Sequence, residues 1–260
     1  IDQIISFLPK VNCITALANI GLNSKLTVCE RNDPKRQKLP LPWHFLKLFI
    51  YNFSSNITAN SKFALKTLKK NYPLKKNFYH TYNFLRENLS DNKFKNKLIK
   101  DNSFITILAV GRLADQKNYV ELIKGFSLLN KSNIRLFIVG NGPNRDNLCK
   151  LILDLNLESR ITIVPYDKNI SSWYRFSDIH VMTSAYEGSP NVLWEASYFS
   201  LPSVVSSNIQ AAFEILQDGK SIFMYDSGDF KMLAKKIEQL INNKKKREEI
   251  GTNAKKNTKI

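Results

Sequence analysis

From residue 104 onward, short apolar runs rich in β-branched side chains alternate with longer amphipathic ones, and this alternation limits what the chain can fold into. The runs at 104–110, 134–139, 161–164, 179–182, 203–206 and 222–225 have the length and composition of buried strands. Helical patterns lie between and after them, at 119–129, 144–155, 170–175, 191–199, 213–216, 230–241 and 244–256. A strand reached through a covering helix re-enters the sheet from the same end as its predecessor, so these strands are expected to run parallel. Residues 103–260 therefore read as one open, doubly wound α/β domain.

A shorter alternation precedes it. Strand patterns at 4–8, 26–29 and 56–59 are separated by helical patterns at 11–20 and 42–51, and Ser61 opens a basic helix reaching residue 70. Residues 1–85 read as part of a second Rossmann-like domain, and the polar, Asn- and Lys-rich stretch 86–102 as the linker. The chain opens on Ile1 beside a strand pattern and stops at Ile260 in a Lys-rich helical one, so a cut at both ends is expected.

With 260 residues, 43% of them hydrophobic, the chain is long and apolar enough to bury substantial cores. No run approaches the ~20 apolar residues that span a bilayer, and no signal-peptide pattern is visible at the start. Cys13, Cys29 and Cys149 lack metal-ligand spacing and read as reduced thiols; with three histidines besides, no zinc site is expected. The net charge of +17 suits nucleic acid, an anionic membrane surface or acidic small molecules. The lysines are scattered and no nucleic-acid-binding module is visible, so nucleic acid is set aside. The aromatic stretch 42–51 fits a helix packed on the sheet or one lying against a membrane surface.

The chemistry concentrates at 185–196, AYEGSPNVLWEA, between a strand pattern and a helix pattern. Gly188 permits the turn, Ser189 stands where an N-cap belongs, and Pro190 stands at the first helical position. Backbone N–H groups at such a helix start, above the carboxyl edge of a parallel sheet, suit phosphate. Glu187 and Glu195 bracket the turn. A carboxylate repels phosphate, so both are expected to accept hydrogen bonds from neutral donors such as sugar hydroxyls. An anion site beside hydroxyl acceptors describes a sugar nucleotide. The plainer alternative makes Glu187 a solvated loop acid and Glu195 a surface helix residue.

Three further loops follow consecutive strand patterns. After 104–110 comes GRLADQKN, where Gly111 permits a tight turn while Arg112 and Lys117 are placed for a diphosphate, or are solvated loop charges. After 134–139 comes GNGP, whose Gly140 and Gly142 let backbone approach a ligand closely; a plain strand-to-helix turn explains them nearly as well. It is not the GxGxxG fingerprint with a following acid, so a nicotinamide enzyme is disfavoured. Tyr166, after 161–164, is positioned to stack on a base or to close the sheet edge. Trp173, Trp194 and His180 read as core residues.

Together these motifs, GRL…QKN at 111–118, VGNGP at 139–143 and EGSPNVLWEA at 187–196, resemble those of the retaining glycosyltransferases of GT-B architecture, often called family 4. The resemblance is strong over 103–260 and looser over 1–85, where ISFLP, ERNDP and Tyr82-Asn83 look like the second half of the family's N-terminal domain. It implies an α/β fold of GT-B type: two Rossmann-like doubly wound domains, the N-terminal one incomplete here. It also implies that Arg112 and Lys117 stabilise the departing diphosphate and that Glu187 holds donor-sugar hydroxyls. Glu195 would hold the ribose, and Gly188, Ser189, Pro190, Asn191 and Val192 would approach sugar and phosphate through their backbone. Gly111, Gly140 and Gly142 would line the donor site, with Tyr166 beside the base.

The family uses no metal and no cofactor beyond its donor, here expected to be UDP- or GDP-linked. Two segments of the family pattern have no counterpart: the Gly-rich loop that opens the N-terminal domain and the helix that crosses back to it at the end. A histidine found in many members is also missing. Glu30, Arg31 and Asn32 occupy a comparable place and are acceptor-side candidates, with loop capping as the alternative. The expectation is a metal-independent hexosyltransferase of surface polysaccharide or glycan assembly. Its acceptor would be a glycan or a polyprenyl-diphosphate-linked glycan, met in the cytoplasm or at the inner membrane face. The alternative is a catalytically silent nucleotide-sugar-binding fragment.

Overall fold

The computed structural model describes residues 1–37, 39–73, 77–83 and 101–258. The expected linker at 86–102 lies, up to residue 100, outside the described residues. By its contacts the chain divides into two units, Ile1–Asn83 with Tyr186–Ser189, and Phe84–Ala185 with Pro190–Ile260.

In the first unit, strands β1 (Gln3–Phe7), β2 (Lys25–Glu30), β3 (Asn56–Ala59) and β4 (Phe78–His80) form a parallel sheet in the order β1-β2-β3-β4. Helices α1 (Pro9–Ala18), α2 (Leu41–Ile50) and α3 (Lys62–Asn71) connect them. α1 starts earlier than its apolar pattern because Pro9 at the helix start already has the required φ and needs no N–H partner. α3 begins where Ser61 marks it: the Ser61 hydroxyl accepts from the Ala64 N–H (3.1 Å). β4 escaped the sequence pattern, being three residues long and only half-buried. Leu26, Val28, Ile57, Leu68 and Tyr72 pack the core between sheet and helices.

The second unit carries β5 (Ile105–Val110), α4 (Tyr119–Ser127), β6 (Ile134–Val139), α5 (Arg145–Asp154), β7 (Ile161–Val164), α6 (Ile170–Phe176) and β8 (Ile179–Met182). It continues with α7 (Asn191–Tyr198), β9 (Ser203–Ser206), β10 (Phe223–Tyr225), α8 (Phe230–Asn242) and α9 (Lys244–Asn257). The short helix expected at 213–216 is a single 3-10 turn, Ala212–Glu214. All six strands are parallel, in the order β10-β9-β8-β5-β6-β7. The chain winds outward from β5 through β6 to β7, then returns to lay β8 on the other side of β5. That reversal opens a crevice above the carboxyl ends of β5 and β8, where doubly wound sheets take their ligands. Below it, Ile107, Leu136, Ile138, Val181 and Val204 fill the sheet interior against Phe126.

One local expectation is corrected. Ser189 does not cap α7; Pro190 holds the N-cap position in extended backbone (φ −81°, ψ 94°) and Asn191 is the first helical residue. Proline has no side-chain acceptor, so the N-cap residue's own side chain makes no cap.

Candidate functional site

The loops that leave β5 and β6 are locked together before any ligand is considered. A Cβ on Gly140 would stand 1.9 Å from the Gly111 carbonyl oxygen, and one on Gly142 would stand 2.3 Å from that of Leu113. The close approach these glycines permit is thus first an approach of one loop to the other. The contact is cemented by the Leu113 N–H donating to the Asn141 carbonyl (2.9 Å) and the Asn144 N–H to the Leu113 carbonyl (3.0 Å).

After Leu113 the chain makes a 3-10 turn, Asp115–Lys117, that is pinned to the segment following β8. The Thr183 hydroxyl donates to the Lys117 carbonyl and the Ala185 N–H to the Gln116 carbonyl, each at 2.8 Å. This turn folds the Lys117 side chain back over Gly111, with Cε 2.8 Å from where a Cβ would be. The two cations expected from GRL…QKN therefore share one loop, Arg112 exposed at its start and Lys117 half-buried across it.

Above the crevice lies a cavity of 490 Å³ lined by the ends of β5 (Val110, Gly111, Arg112) and β6 (Val139, Gly140, Asn141), with Tyr166 beyond β7. Ile170 of α6 and Asn191, Val192 and Glu195 of α7 complete it. Its walls are apolar where the valines and Ile170 meet, as a nucleobase or ribose ring requires, and α7 presents its partially positive end to it. Tyr166 is half exposed at the rim, and its N–H donates to Asn141 Oδ1 (3.3 Å).

Glu195, a helix residue that sequence left open as a surface acid, is only 6% exposed, and the Tyr174 hydroxyl donates to its Oε2 (2.9 Å). The structure thus brings Gly111, Arg112, Gly140, Tyr166, Asn191, Val192 and Glu195 around one cavity. Gly142, Lys117 and Pro190 belong to the same unit but stand outside that lining.

Glu187, Gly188 and Ser189 segregate with the first unit and do not line this cavity. Within that unit the Gly188 Cα faces the Arg31 carbonyl, 2.5 Å from where a Cβ would stand. Glu30 is fully buried, bound to Lys47 (2.7 Å) and to the Tyr51 hydroxyl (2.5 Å), so its carboxylate serves the core of that unit. Asn32 Oδ1 accepts from the Asp33 N–H (2.9 Å), the local capping that was the alternative for this loop. Arg31 is exposed, with its guanidinium over the Phe7 ring.

Of the residues read as core, Trp173 and Trp194 are buried, the former donating to Asp167 Oδ2 (2.9 Å). His180 is fully buried, and Nδ1 lies 3.1 Å from the Ser203 hydroxyl. Burial pushes its pKa down to about 3, with the Lys117 charge adding to the shift. Among the described residues, no group of three or more His, Cys, Asp or Glu side chains is placed to hold a metal ion. None of the described helices is long and apolar enough to cross a membrane.

Residues 90–257 match the family described as Glycosyl transferases group 1. The chain belongs to that family. Among its group 1 relatives is the amylovoran biosynthesis glycosyltransferase AmsD of Erwinia amylovora, 33% identical over 75% of this chain and 55% of the relative. Another is an α-1,4-N-acetyl-D-galactosaminyltransferase of Campylobacter jejuni whose named acceptor is a diphospho-undecaprenol-linked glycan, 28% identical over 99% of this chain and 70% of the relative. The chain therefore spans only part of the length of the family members it matches. Among solved structures, Anabaena Alr3699/HepE in complex with UDP-glucose superposes with a TM-score of 0.86 at 22% identity, covering 99% of this chain and 73% of that one. A sucrose-phosphate synthase from Thermosynechococcus elongatus follows the same fold at a TM-score of 0.83 and 15% identity. The fold is thus α/β of GT-B type, with two Rossmann-like units, as the motifs implied.

Proposed function

We propose that this chain carries the donor site of a retaining, family 4 glycosyltransferase that moves a hexose-type sugar from a nucleoside diphosphate without a metal. The observation that carries the reading is the single cavity at the strand-order reversal, where a cation (Arg112), an aromatic ring (Tyr166) and a buried carboxylate (Glu195) converge. Tyr166 and the apolar wall take the base, Glu195 the ribose hydroxyls, and Arg112 with Lys117 the diphosphate. The start of α7 supplies further positive potential where leaving-group charge develops. Glu187 takes the hydroxyls of the donor sugar, and Gly188 to Val192 approach sugar and phosphate through their backbone.

Retention follows if the acceptor hydroxyl oxygen attacks the anomeric carbon on the face the diphosphate leaves. The carbon–oxygen bond to phosphate breaks as the new glycosidic bond forms, and the hydroxyl proton passes to the departing phosphate oxygen. The family relatives named for amylovoran and lipid-linked glycan synthesis support a glycan or polyprenyl-diphosphate-linked acceptor, and hence surface polysaccharide or glycan assembly. A lipid-linked acceptor of this kind supports a cytoplasmic protein working at the inner face of the membrane. On α2 and the turn after it, Leu41, Phe45, Phe49 and Phe53 recur every fourth residue and are all exposed, a ridge suited to that surface. We further propose that the stretch 86–102 links the two units.

The test is a metal-free calorimetric titration of the chain with UDP, GDP and their common sugar conjugates. One nucleotide should bind, its sugar conjugate more tightly, and Glu187→Ala should remove the sugar-dependent part alone. Failure of both nucleotides to bind the folded chain would remove the donor site.

A further inference from the structure

We propose that Tyr174 is a positioning residue for the nucleotide site: its hydroxyl fixes the Glu195 carboxylate in the pose that meets a ribose hydroxyl. The inference rests on the donor-site reading above. Glu195 lines the cavity yet is 6% exposed, and a carboxylate withdrawn from water needs donors to offset its lost hydration. Tyr174 supplies one from a different element, α6, at 2.9 Å from Oε2. The hydroxyl has one proton and two acceptors in reach, Glu195 Oε2 and the Val192 carbonyl at 3.3 Å. The nearer, ionised acceptor takes it.

The ring that carries this hydroxyl cannot turn away. Tyr174 is 1% exposed, stacked on Phe199 (5.7 Å between centroids, 14° between planes) and edged by His180 (6.3 Å, 64°). A glutamate side chain has three rotatable bonds, and a donor held this rigidly selects among its rotamers before any ligand arrives. Tyr174 does not itself line the cavity, so it acts through Glu195 and not on the ligand.

Tyr174→Phe keeps the ring and its stacking and removes only the hydroxyl. The probes are whichever of UDP and GDP the native chain binds, together with its 2′-deoxy and 3′-deoxy forms. The native chain should prefer the ribonucleotide over at least one deoxy form. Tyr174→Phe should shrink that preference by about fivefold, the worth of one ordinary hydrogen bond, while affinity for that deoxy form stays within about twofold. A merely structural role would weaken all three probes alike, and that result overturns the inference, as does an unchanged preference.

Glu195→Gln, alone and combined with Tyr174→Phe, closes a double-mutant cycle. If Tyr174 acts through the Glu195 carboxylate, the second substitution adds little to the first. Additive losses overturn the inference; if Tyr174→Phe alone does not fold, a double variant that binds the ribonucleotide more weakly than Glu195→Gln overturns it instead. A native chain indifferent to both ribose hydroxyls overturns the ribose role of Glu195 and this inference with it. A preference lost in Glu195→Gln but kept in Tyr174→Phe overturns only the role of Tyr174.

Discussion

Lys47 and Glu30 are buried as a pair, Nζ 2.7 Å from the carboxylate, with at most 9% of either side chain exposed. The Tyr51 hydroxyl donates to the same carboxylate oxygen, and Asn12 Nδ2 donates to that hydroxyl (2.9 Å), so the charge sits in a polar network inside the first unit. Removing one partner strands the other in a low-dielectric interior, which costs about 3–5 kcal/mol in comparable pairs. Lys47→Met should therefore destabilise the first unit by that order in urea unfolding, and Lys47→Met with Glu30→Gln should recover much of it. A loss below about 1 kcal/mol in the single variant would mean that water reaches the pair.

Gly140 offers a test of the loop pairing that shapes the cavity. An alanine there would place Cβ 1.9 Å from the Gly111 carbonyl oxygen, and backbone cannot swing aside as a side chain can. One loop must shift, at a cost of about 1–3 kcal/mol as for other overpacked sites. Gly140→Ala should lower stability and also abolish nucleotide binding. Native-like affinity in that variant would show that the loop pairing does not set the site.

The proposed donor site assigns different parts of the ligand to the cations and to the loop acid. Arg112→Ala and Lys117→Ala should each weaken nucleoside diphosphate binding by about 1–3 kcal/mol, the range for hydrogen bonds to charged groups. Glu187→Ala should weaken the sugar nucleotide while leaving the bare diphosphate nearly unaffected. Isothermal titration against both ligands checks the three variants; equal losses for both in Glu187→Ala would reject its sugar-hydroxyl role.

Most of this architecture could be read from the sequence, because largely buried strands show as short runs rich in apolar and β-branched residues. β6, β7, β8 and β9 lie where those runs predict them. The three-residue β4, half-buried, carries no such signal. Gly111, Arg112, Gly140, Tyr166 and Glu195, singled out by sequence, come to one cavity because loops and helix starts gather at the carboxyl edge of a parallel sheet. The burial of Glu30, an acceptor-side candidate by sequence, was not legible: its partners Lys47 on α2 and Tyr51 in the turn after it lie well beyond it in sequence, and only tertiary packing brings them together. Tyr174 was missed for the same reason, since its neighbours in sequence mark it only as a core aromatic on α6. Ser189 was misplaced as the cap by one residue: Pro190 holds the N-cap position and α7 begins at Asn191.

The ridge on α2 offers a test of the proposed membrane contact. Leu41, Phe45, Phe49 and Phe53 are 71, 66, 65 and 52% exposed, and residues 1–83 hold thirteen Lys and Arg against three Asp and Glu. Apolar side chains on a basic unit suit an anionic lipid surface. Phe45→Ser with Phe49→Ser should cut binding to phosphatidylglycerol-containing vesicles by at least about tenfold, given about 1.5–3 kcal/mol for burying each ring. Nucleotide affinity should not change. Equal flotation of native and variant chains with such vesicles would remove this face from membrane contact.

His180 makes the second unit sensitive to acid in a calculable direction. It lies fully buried between α6 and β9, and Nε2 finds no hydrogen-bond partner among the described residues, so the folded protein holds it neutral. Its pKa is pushed down to about 3 by burial first and by Lys117 second, whereas in the unfolded chain it regains an ordinary value of about 6.5. Between those values the unfolded state binds a proton that the folded state refuses. Stability must therefore fall as pH drops from about 6.5 toward 3, by up to about 1.4 kcal/mol per pH unit from this group, and it is insensitive to His180 above that window. His180→Gln cannot titrate. Whatever it costs at pH 7.5, the stability gap between native and variant chains should narrow as pH falls to about 4.5 in urea titrations. A gap that stays constant across that range would mean that His180 takes up its proton in the fold at the same pH as in the unfolded chain, with Nε2 reaching a partner or solvent.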